Sequence, residues 1–439
     1  MLGLPTTATA PFCPSEVRGT VALQPSAAPL WKRALRFAGP GLLISVGYMD
    51  PGNWATDIEA GSKFGYDLLF VVVLSSLAAI VLQRLAMRLG LATGKDLARH
   101  SRDQLSSRVN ISLWLMAEIA IIACDLAEVL GSALAFHLLL GVSIPAGIAL
   151  TALDTVIVLA LQGKGFRSLE AIVLGLVATI GTVFLFELWL VGPSWAAVAR
   201  GLWPSAEVIH APGALYVAVG ILGATVMPHN LYLHSSIVQS RAIGSDDKSK
   251  AEAIRFATFD TVGSLVLALL INAAILVLAG AAFHGTGHAQ VTEIDEAWHL
   301  LDPLVGSRVA STLFALALLA SGQSSTFTGT IAGQVLMEGS LELKIPCWQR
   351  RLITRFLALA PALAGVWILG EHAVGRMLVI SQVVLSFQLP FAIAPLLLFT
   401  GRRALMGRFA SGTSGRALGW SLFGIITVAN LWLIAQVVA

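Results

Sequence analysis

Charge is what this chain has least of. Only 12% of its 439 residues are Asp, Glu, Lys or Arg, against roughly 25% in an ordinary soluble domain. With 56% hydrophobic residues and a mean hydropathy of +0.80, this scarcity excludes a soluble globular protein and leaves a polytopic membrane protein. The basic residues are scattered through short connections, so no nucleic-acid partner is expected. Cysteine is scarce too: Cys13, Cys124 and Cys347 form no CxxC pair, and their spacing suits neither a zinc site nor a disulfide framework. HExxH, GxSxG and a Ser/His/Asp arrangement are absent, which argues against an intramembrane metalloenzyme or any other enzyme. No cofactor is expected. The first thirty residues lack the basic start and apolar core of a cleavable signal. They read as a short disordered tail, with the first span directing insertion.

Apolar runs near the ~20 residues needed to cross a bilayer fill the rest. They lie at 40–65, 68–90, 111–138, 143–162, 169–191, 213–241, 257–283, 303–338, 352–370, 375–399 and 417–438, which makes eleven spans. The polar part of the eighth, Ser321 to Thr330, is expected to face the bundle interior or a water-filled path. Basic residues gather in alternate connections. The opposite side holds only Lys63, Arg200, Arg308 and Arg376 of the 28. The positive-inside rule then places the N-terminus in the cytoplasm and the C-terminus outside. The connection 284–302 carries His284, His288 and His299 beside acidic residues, so a metal-gathering loop is conceivable, but the spacing is loose. It reads as a solvated loop.

The first span is interrupted. Asp50-Pro51-Gly52-Asn53 stands where the run is expected to be most apolar. Pro51 removes an amide donor and clashes with the preceding turn, and Gly52 adds backbone freedom. The helix is expected to break, freeing carbonyls such as that of Gly47. Backbone groups in lipid must find partners, and a buried Asp50 is costly unless it is used. A carboxylate beside free carbonyls and the Asn53 amide oxygen makes a cation site. A second break follows at Met227-Pro228-His229, with Pro228 lying 177 residues after Pro51. Each break opens a block of five spans. An odd count inverts the second copy, and matching broken spans point to a midplane transport site. The expected fold is therefore all-α and LeuT-like: a 5+5 inverted repeat with broken helices 1 and 6, plus an eleventh helix. The corresponding regions are a cytoplasmic tail (1–38), a first repeat (39–200), a second repeat (201–400) and the eleventh helix (401–439). One thioether, Met227, added to oxygen donors favours borderline divalent ions such as Mn²⁺, Fe²⁺ and Co²⁺ over Ca²⁺ and Mg²⁺.

The third span places Glu118, Asp125 and Glu128 on one helical face, since residues three and seven apart align. A proton relay or a buried salt-bridge network both fit. Arg350 and Arg351 could pair with these acids or snorkel to the interface. His229 could bind metal or pass protons. His234 reads as a core or pore-lining histidine. Asn272 and Asn430 read as interhelical hydrogen-bonding residues.

Asp50-Pro-Gly-Asn53 together with Met227-Pro-His229 resembles the Nramp family of divalent metal–proton symporters, from about Gly39 to the end of the chain. The resemblance implies that Asp50, Asn53 and Met227 bind metal with the carbonyls of Gly47 and Ala224, joined in some conformations by Gln382. It also implies that Asp125 accepts the proton beside Glu128, that His229 acts in proton transfer, and that Arg350 and Arg351 line the exit. Where family members often carry threonine, this chain has Cys124. The implied function is proton-coupled import of Mn²⁺ and Fe²⁺, with Cd²⁺ and Co²⁺ also carried, by a monomer in a bacterial cytoplasmic (inner) membrane. The alternatives are a Na⁺-coupled organic-solute transporter of the same fold and a Mg²⁺-transporting relative, the latter weakened by Met227. A passive channel also remains, against which saturable uptake would argue.

Overall fold

The computed structural model describes residues 18–22, 28–153, 166–205, 208, 210–284, 291, 293–305, 309–343 and 347–438. Within them the chain is built from helices. A short amphipathic helix, α1 (Leu30–Phe37), precedes the first broken span, formed by α2 (Pro40–Val46), a 3₁₀ turn and α3 (Pro51–Phe64). Next come α4 (Leu69–Thr93), the short α5 (Leu97–Gln104), α6 (Ser107–Leu140), α7 (Ile144–Thr151) and α8 (Phe166–Val191). The second broken span is α9 (Ala214–Thr225) and α10 (Pro228–Ile237). It is followed by α11 (Asp247–Ala282), α12 (Ile294–Val305), α13 (Ala310–Leu341), α14 (Cys347–Leu369), α15 (Val374–Gly401) and α16 (Thr413–Val438).

Eight of the described helices are long and apolar enough to cross a membrane. The other three expected spans differ for identifiable reasons. The first is split into two short halves. Part of the fourth, residues 154–165, lies outside the described residues. The eighth, α13, is an unbroken helix of 32 residues whose serines and threonines lower its hydropathy. Most of those hydroxyls are buried, and several bond back to carbonyls of their own helix, as Thr326 does to Gly322 and Thr328 to Ser325. Such back-bonding satisfies the hydroxyls within the helix itself.

At the center, α3 is buried along nearly its whole length. It packs against α11 on one side and against α9 and α15 on another, while α6 packs most extensively on α13. Gly61 sets the approach of α3 to α11, because a Cβ there would run into the Leu276 carbonyl oxygen and come within 2.7 Å of the Ala279 methyl. Trp54 fixes the rotation of α3 through edge contacts with Phe184 of α8 and Phe314 of α13.

The basic end of the bundle is tied together around the start of α2. The Asp260 carboxylate accepts from Gly41 N at 2.7 Å and from Gly39 N, supplying partners for amides that a helix start leaves unpaired. Arg241 has its side chain wholly buried and ion-paired to Glu170 at 2.8 Å. It also donates to the Phe37 and Ala38 carbonyls. Residues 18–22, expected to be part of a disordered tail, instead pair with the chain just after α10: Val21 N donates to Ser240 O, and Ala242 N to Val21 O. Arg18 donates to the Gly94 carbonyl beyond the end of α4. Composition alone gave no sign of this pairing, which uses backbone groups.

Replacing Gly61 with valine forces α3 and α11 apart. The expected cost is ~1–3 kcal/mol, in the range for an overpacked core, read as a lower melting temperature of the purified protein in detergent.

Candidate metal-ion site at the two helix breaks

Both breaks form as the prolines require. Asp50 leaves the helix with extended backbone (φ −70°, ψ 167°), and its carboxylate caps α3 by accepting from Asn53 N at 2.9 Å. The second break passes through Val226 (φ −102°, ψ 53°) to Met227, the residue before α10. The freed carbonyls of the first break are met by neighboring side chains. Tyr48 O accepts from the Asn53 amide at 2.6 Å and from Asn272 of α11 at 2.8 Å. Met49 O accepts from Ser321 of α13 at 2.5 Å and from the Trp54 indole at 3.2 Å. Gly131 of α6 leaves room for the Pro51 ring, which a Cβ would overlap.

The two breaks lie against each other. Asn53 Nδ2 reaches Ala224 O across the gap at 3.4 Å. From the other side, Asn230 Nδ2 stands 3.7 Å from the Met227 sulfur, and its amide occupies the space a side chain at Gly47 would need. Gln382 of α15 packs directly over Gly52, where a Cβ would overlap its amide. Asp50, Met227, Asn230 and Gln382 are fully buried. Asp50 Oδ2, Asn53 Oδ1, Asn230 Oδ1 and Gln382 Oε1 are all buried without a hydrogen-bond partner. Leaving one buried polar atom unsatisfied costs ~1–3 kcal/mol. Several oxygens orphaned around one break, one of them on a carboxylate, are matched to a cation rather than to an anion or an apolar solute.

The acids of α6 are all buried on that single helix. Cys124 stands between two titratable groups, with its sulfur 3.6 Å from Glu128 Oε1 and 3.7 Å from His229 Nε2. Asp125 Oδ1 and Glu128 Oε1 both come to the bare backbone of Gly329 on α13, 3.0 and 3.2 Å from where a Cβ would sit. Glu118 lies further along α6 and accepts from the Trp114 indole at 3.1 Å. The side chains of Arg350 and Arg351 lie outside the described residues. Arg355, one turn beyond Arg351, is buried, interacts electrostatically with Glu128 and donates to Thr151 O at 3.3 Å. Sequence reasoning passed over it and also over Asn230. The available signals were an arginine inside an apolar run and an asparagine three residues after each break.

The remaining polar residues fall into place. His234 bonds to Gln83 of α4 at 2.8 Å, and Asn430 of α16 pairs with Ser386 of α15. Asn272 and Asn430 thus make interhelical hydrogen bonds. In the loop before α12, His284 bonds to the Ser62 carbonyl, and His288 lies outside the described residues. Among the described residues no group of three or more His, Cys, Asp or Glu could hold a metal ion. On the side away from the basic end, a cavity of about 550 Å³ is lined by Glu59, Lys63, Tyr216, Glu293, Arg376 and Val379, among others. Its walls come from α3, α9 and α15, which carry Asn53, Ala224 and Gln382 deeper in the bundle.

Comparisons with known proteins show what the chain as a whole is similar to. The family model described as Nramp, natural resistance-associated macrophage protein-like, matches residues 41–436. A divalent metal cation transporter, MntH, of Ralstonia nicotianae is 65% identical, covering 99% of this chain and 98% of that protein. The crystal structure of a mutant manganese transporter from Eremococcus coleocola superposes with a TM-score of 0.89 at 41% identity, covering 96% of this chain and 90% of that one. A nucleobase-cation-symport-1 family transporter superposes with a TM-score of 0.64 at 13% identity, covering 97% and 93%. That last likeness bears on the fold alone, which is the LeuT-like architecture with two broken helices.

Replacing Asn272 with leucine removes a donor to the Tyr48 carbonyl at the first break. The expected loss is ~1–2 kcal/mol, measured as a lower thermal unfolding midpoint in detergent.

Proposed function

The chain belongs to the Nramp family, and from that premise we propose that it imports divalent transition-metal ions, Mn²⁺ and Fe²⁺ foremost, together with protons, by alternating access. It is a multi-pass membrane transporter and not an enzyme. The observation that carries the reading is the set of orphaned oxygens of Asp50, Asn53 and Gln382 at a break that faces Met227. Hard oxygen donors with one thioether suit Mn²⁺, Fe²⁺, Co²⁺ and Cd²⁺ better than ions that demand oxygen alone. In this reading the carbonyls of Gly47 and Ala224 complete the ion's surroundings. The cavity bounded by Glu59 and Glu293 is the outer approach, and the basic end of the bundle faces the cytoplasm of a bacterial cell.

Proton coupling has two supports in the geometry. Asp50 must be ionised to hold a cation, so metal and proton compete at the site itself. His229 and Glu128 flank Cys124 at 3.7 and 3.6 Å from its sulfur, and Glu128 interacts electrostatically with Asp125 and Arg355, so these groups lead away from the breaks as a candidate proton route. In this reading the buried acids of α6 give protons a route apart from the ion's own.

The deciding experiment is Mn²⁺ uptake into proteoliposomes under an imposed pH gradient, with Cd²⁺ and Ca²⁺ as competitors and Na⁺ replaced. Saturable uptake driven by the pH gradient and blocked by Cd²⁺ supports the reading, whereas dependence on Na⁺ with no response to pH overturns it. Asp50→Asn is expected to abolish Mn²⁺ uptake, and uptake near the wild-type rate would remove this carboxylate from the site. Met227→Ala is expected to leave part of the Mn²⁺ uptake but let Ca²⁺ compete about tenfold better, equivalent to ~1.4 kcal/mol. Unchanged competition by Ca²⁺ would refute the selectivity role. Glu128→Gln is expected to bind Mn²⁺ while uptake loses its response to the pH gradient; a gradient response of wild-type size would exclude Glu128 from the proton route.

A further inference from the structure

The two breaks share more than a proline. Asp50-Pro51-Gly52-Asn53 and Met227-Pro228-His229-Asn230 each put an asparagine three residues after the capping position. In an inverted repeat these asparagines are counterparts. Each sits in the first turn of its half-helix, and each crosses to the opposite break: Asn53 Nδ2 to Ala224 O at 3.4 Å, Asn230 Nδ2 to the space beside Gly47. Asn230 is fully buried, its N–H donates toward the Met227 sulfur at 3.7 Å, and its Oδ1 has no partner.

We propose that Asn230 is a positioning residue of the ion site, holding the Met227 thioether in the orientation that makes it an effective soft ligand. The inference rests on the metal-site reading above and deepens it. Methionine has three rotatable side-chain bonds and adapts to whatever space surrounds it, so a free thioether presents its lone pairs in many directions. Met227 also clusters with the buried Ala120, Cys124 and Leu385, which confine the side chain sterically and say little about where its lone pairs point. The hydrogen bond from Asn230 occupies one lone pair on the side of α10. In this proposal the second is left for the gap between the breaks. Preorganisation of this kind raises affinity for the ion that uses the sulfur most and hardly touches ions bound through oxygen.

The test is metal binding by the purified full-length protein in detergent, followed by titration calorimetry with Cd²⁺ and Mn²⁺ separately. Asn230→Ala is expected to weaken Cd²⁺ about tenfold and Mn²⁺ no more than about threefold, lowering the Cd²⁺/Mn²⁺ affinity ratio. In a Met227→Ala background the same change is expected to alter that ratio less than about twofold, because its target is gone. Asn230→Leu refills the volume without an N–H and is expected to behave as the alanine variant. Asn230→Asp keeps the shape without an N–H when ionised, and it too is expected to lower the ratio, which covers the case in which the apolar variants fail to fold. Restoration of Cd²⁺ binding by leucine would make packing the whole effect and overturn the inference, as would equal losses for the two ions or full additivity with Met227→Ala. If Met227→Ala weakens Cd²⁺ and Asn230→Ala does not, this inference alone falls. If Met227→Ala leaves Cd²⁺ binding intact, the metal-site reading falls with it.

Discussion

The structure depends on keeping two interrupted helices satisfied inside a bilayer. A break exposes peptide groups that hydrocarbon cannot solvate, and the first break meets this with donors brought from α3, α11 and α13. Tyr48 O is held by Asn53 and Asn272, and Met49 O by Ser321 and Trp54. These donors come from three helices, so the irregular stretch is fixed by the bundle around it and not by its own sequence. The Tyr48 and Met49 carbonyls find partners, while side-chain oxygens of Asp50, Asn53, Asn230 and Gln382 around the two breaks do not. A scaffold that satisfies freed carbonyls and leaves side-chain acceptors buried beside them has the form of a binding site.

The broken helices are also anchored at their outer ends. Asp260, Arg241 and Glu170 bind the start of α2 to α8, α11 and the segment after α10. Removing one partner of such a buried ion pair leaves the other charge uncompensated, which is far costlier than the pair's net contribution. At the opposite end, Glu293 accepts from the Gly375 amide at 2.5 Å, joining the loop before α12 to the start of α15. The start of the first half-helix is therefore fastened at the basic end, and at the opposite end the fastening falls on α15, which packs beside α3.

Much of this could be read from the sequence. Two prolines in apolar runs gave both breaks, and the odd number of spans between them gave the inverted repeat. Alternating arginine-rich connections supported the span count even for α13, whose hydroxyls make it look too polar to cross. What stayed hidden depends on contacts between distant elements. Asn230 looks like any polar residue in a short helix until its amide is seen against Gly47 and Met227. Arg355 was passed over for Arg350 and Arg351, because two adjacent arginines at a helix start are a louder signal than one arginine a turn deeper. The pairing of Val21 with Ser240 and Ala242 is made by backbone, which carries no side-chain signature at all.

The geometry of the breaks has an electrostatic consequence. Four helix ends converge there: α2 and α9 with their partially negative carboxyl ends, α3 and α10 with their partially positive amino ends. Each end carries about half an elementary charge, so the four largely cancel. In the proposed reading, a dication at the breaks is therefore balanced by buried carboxyls, with Asp50 at the cap of α3 first among them, and not by the helix ends.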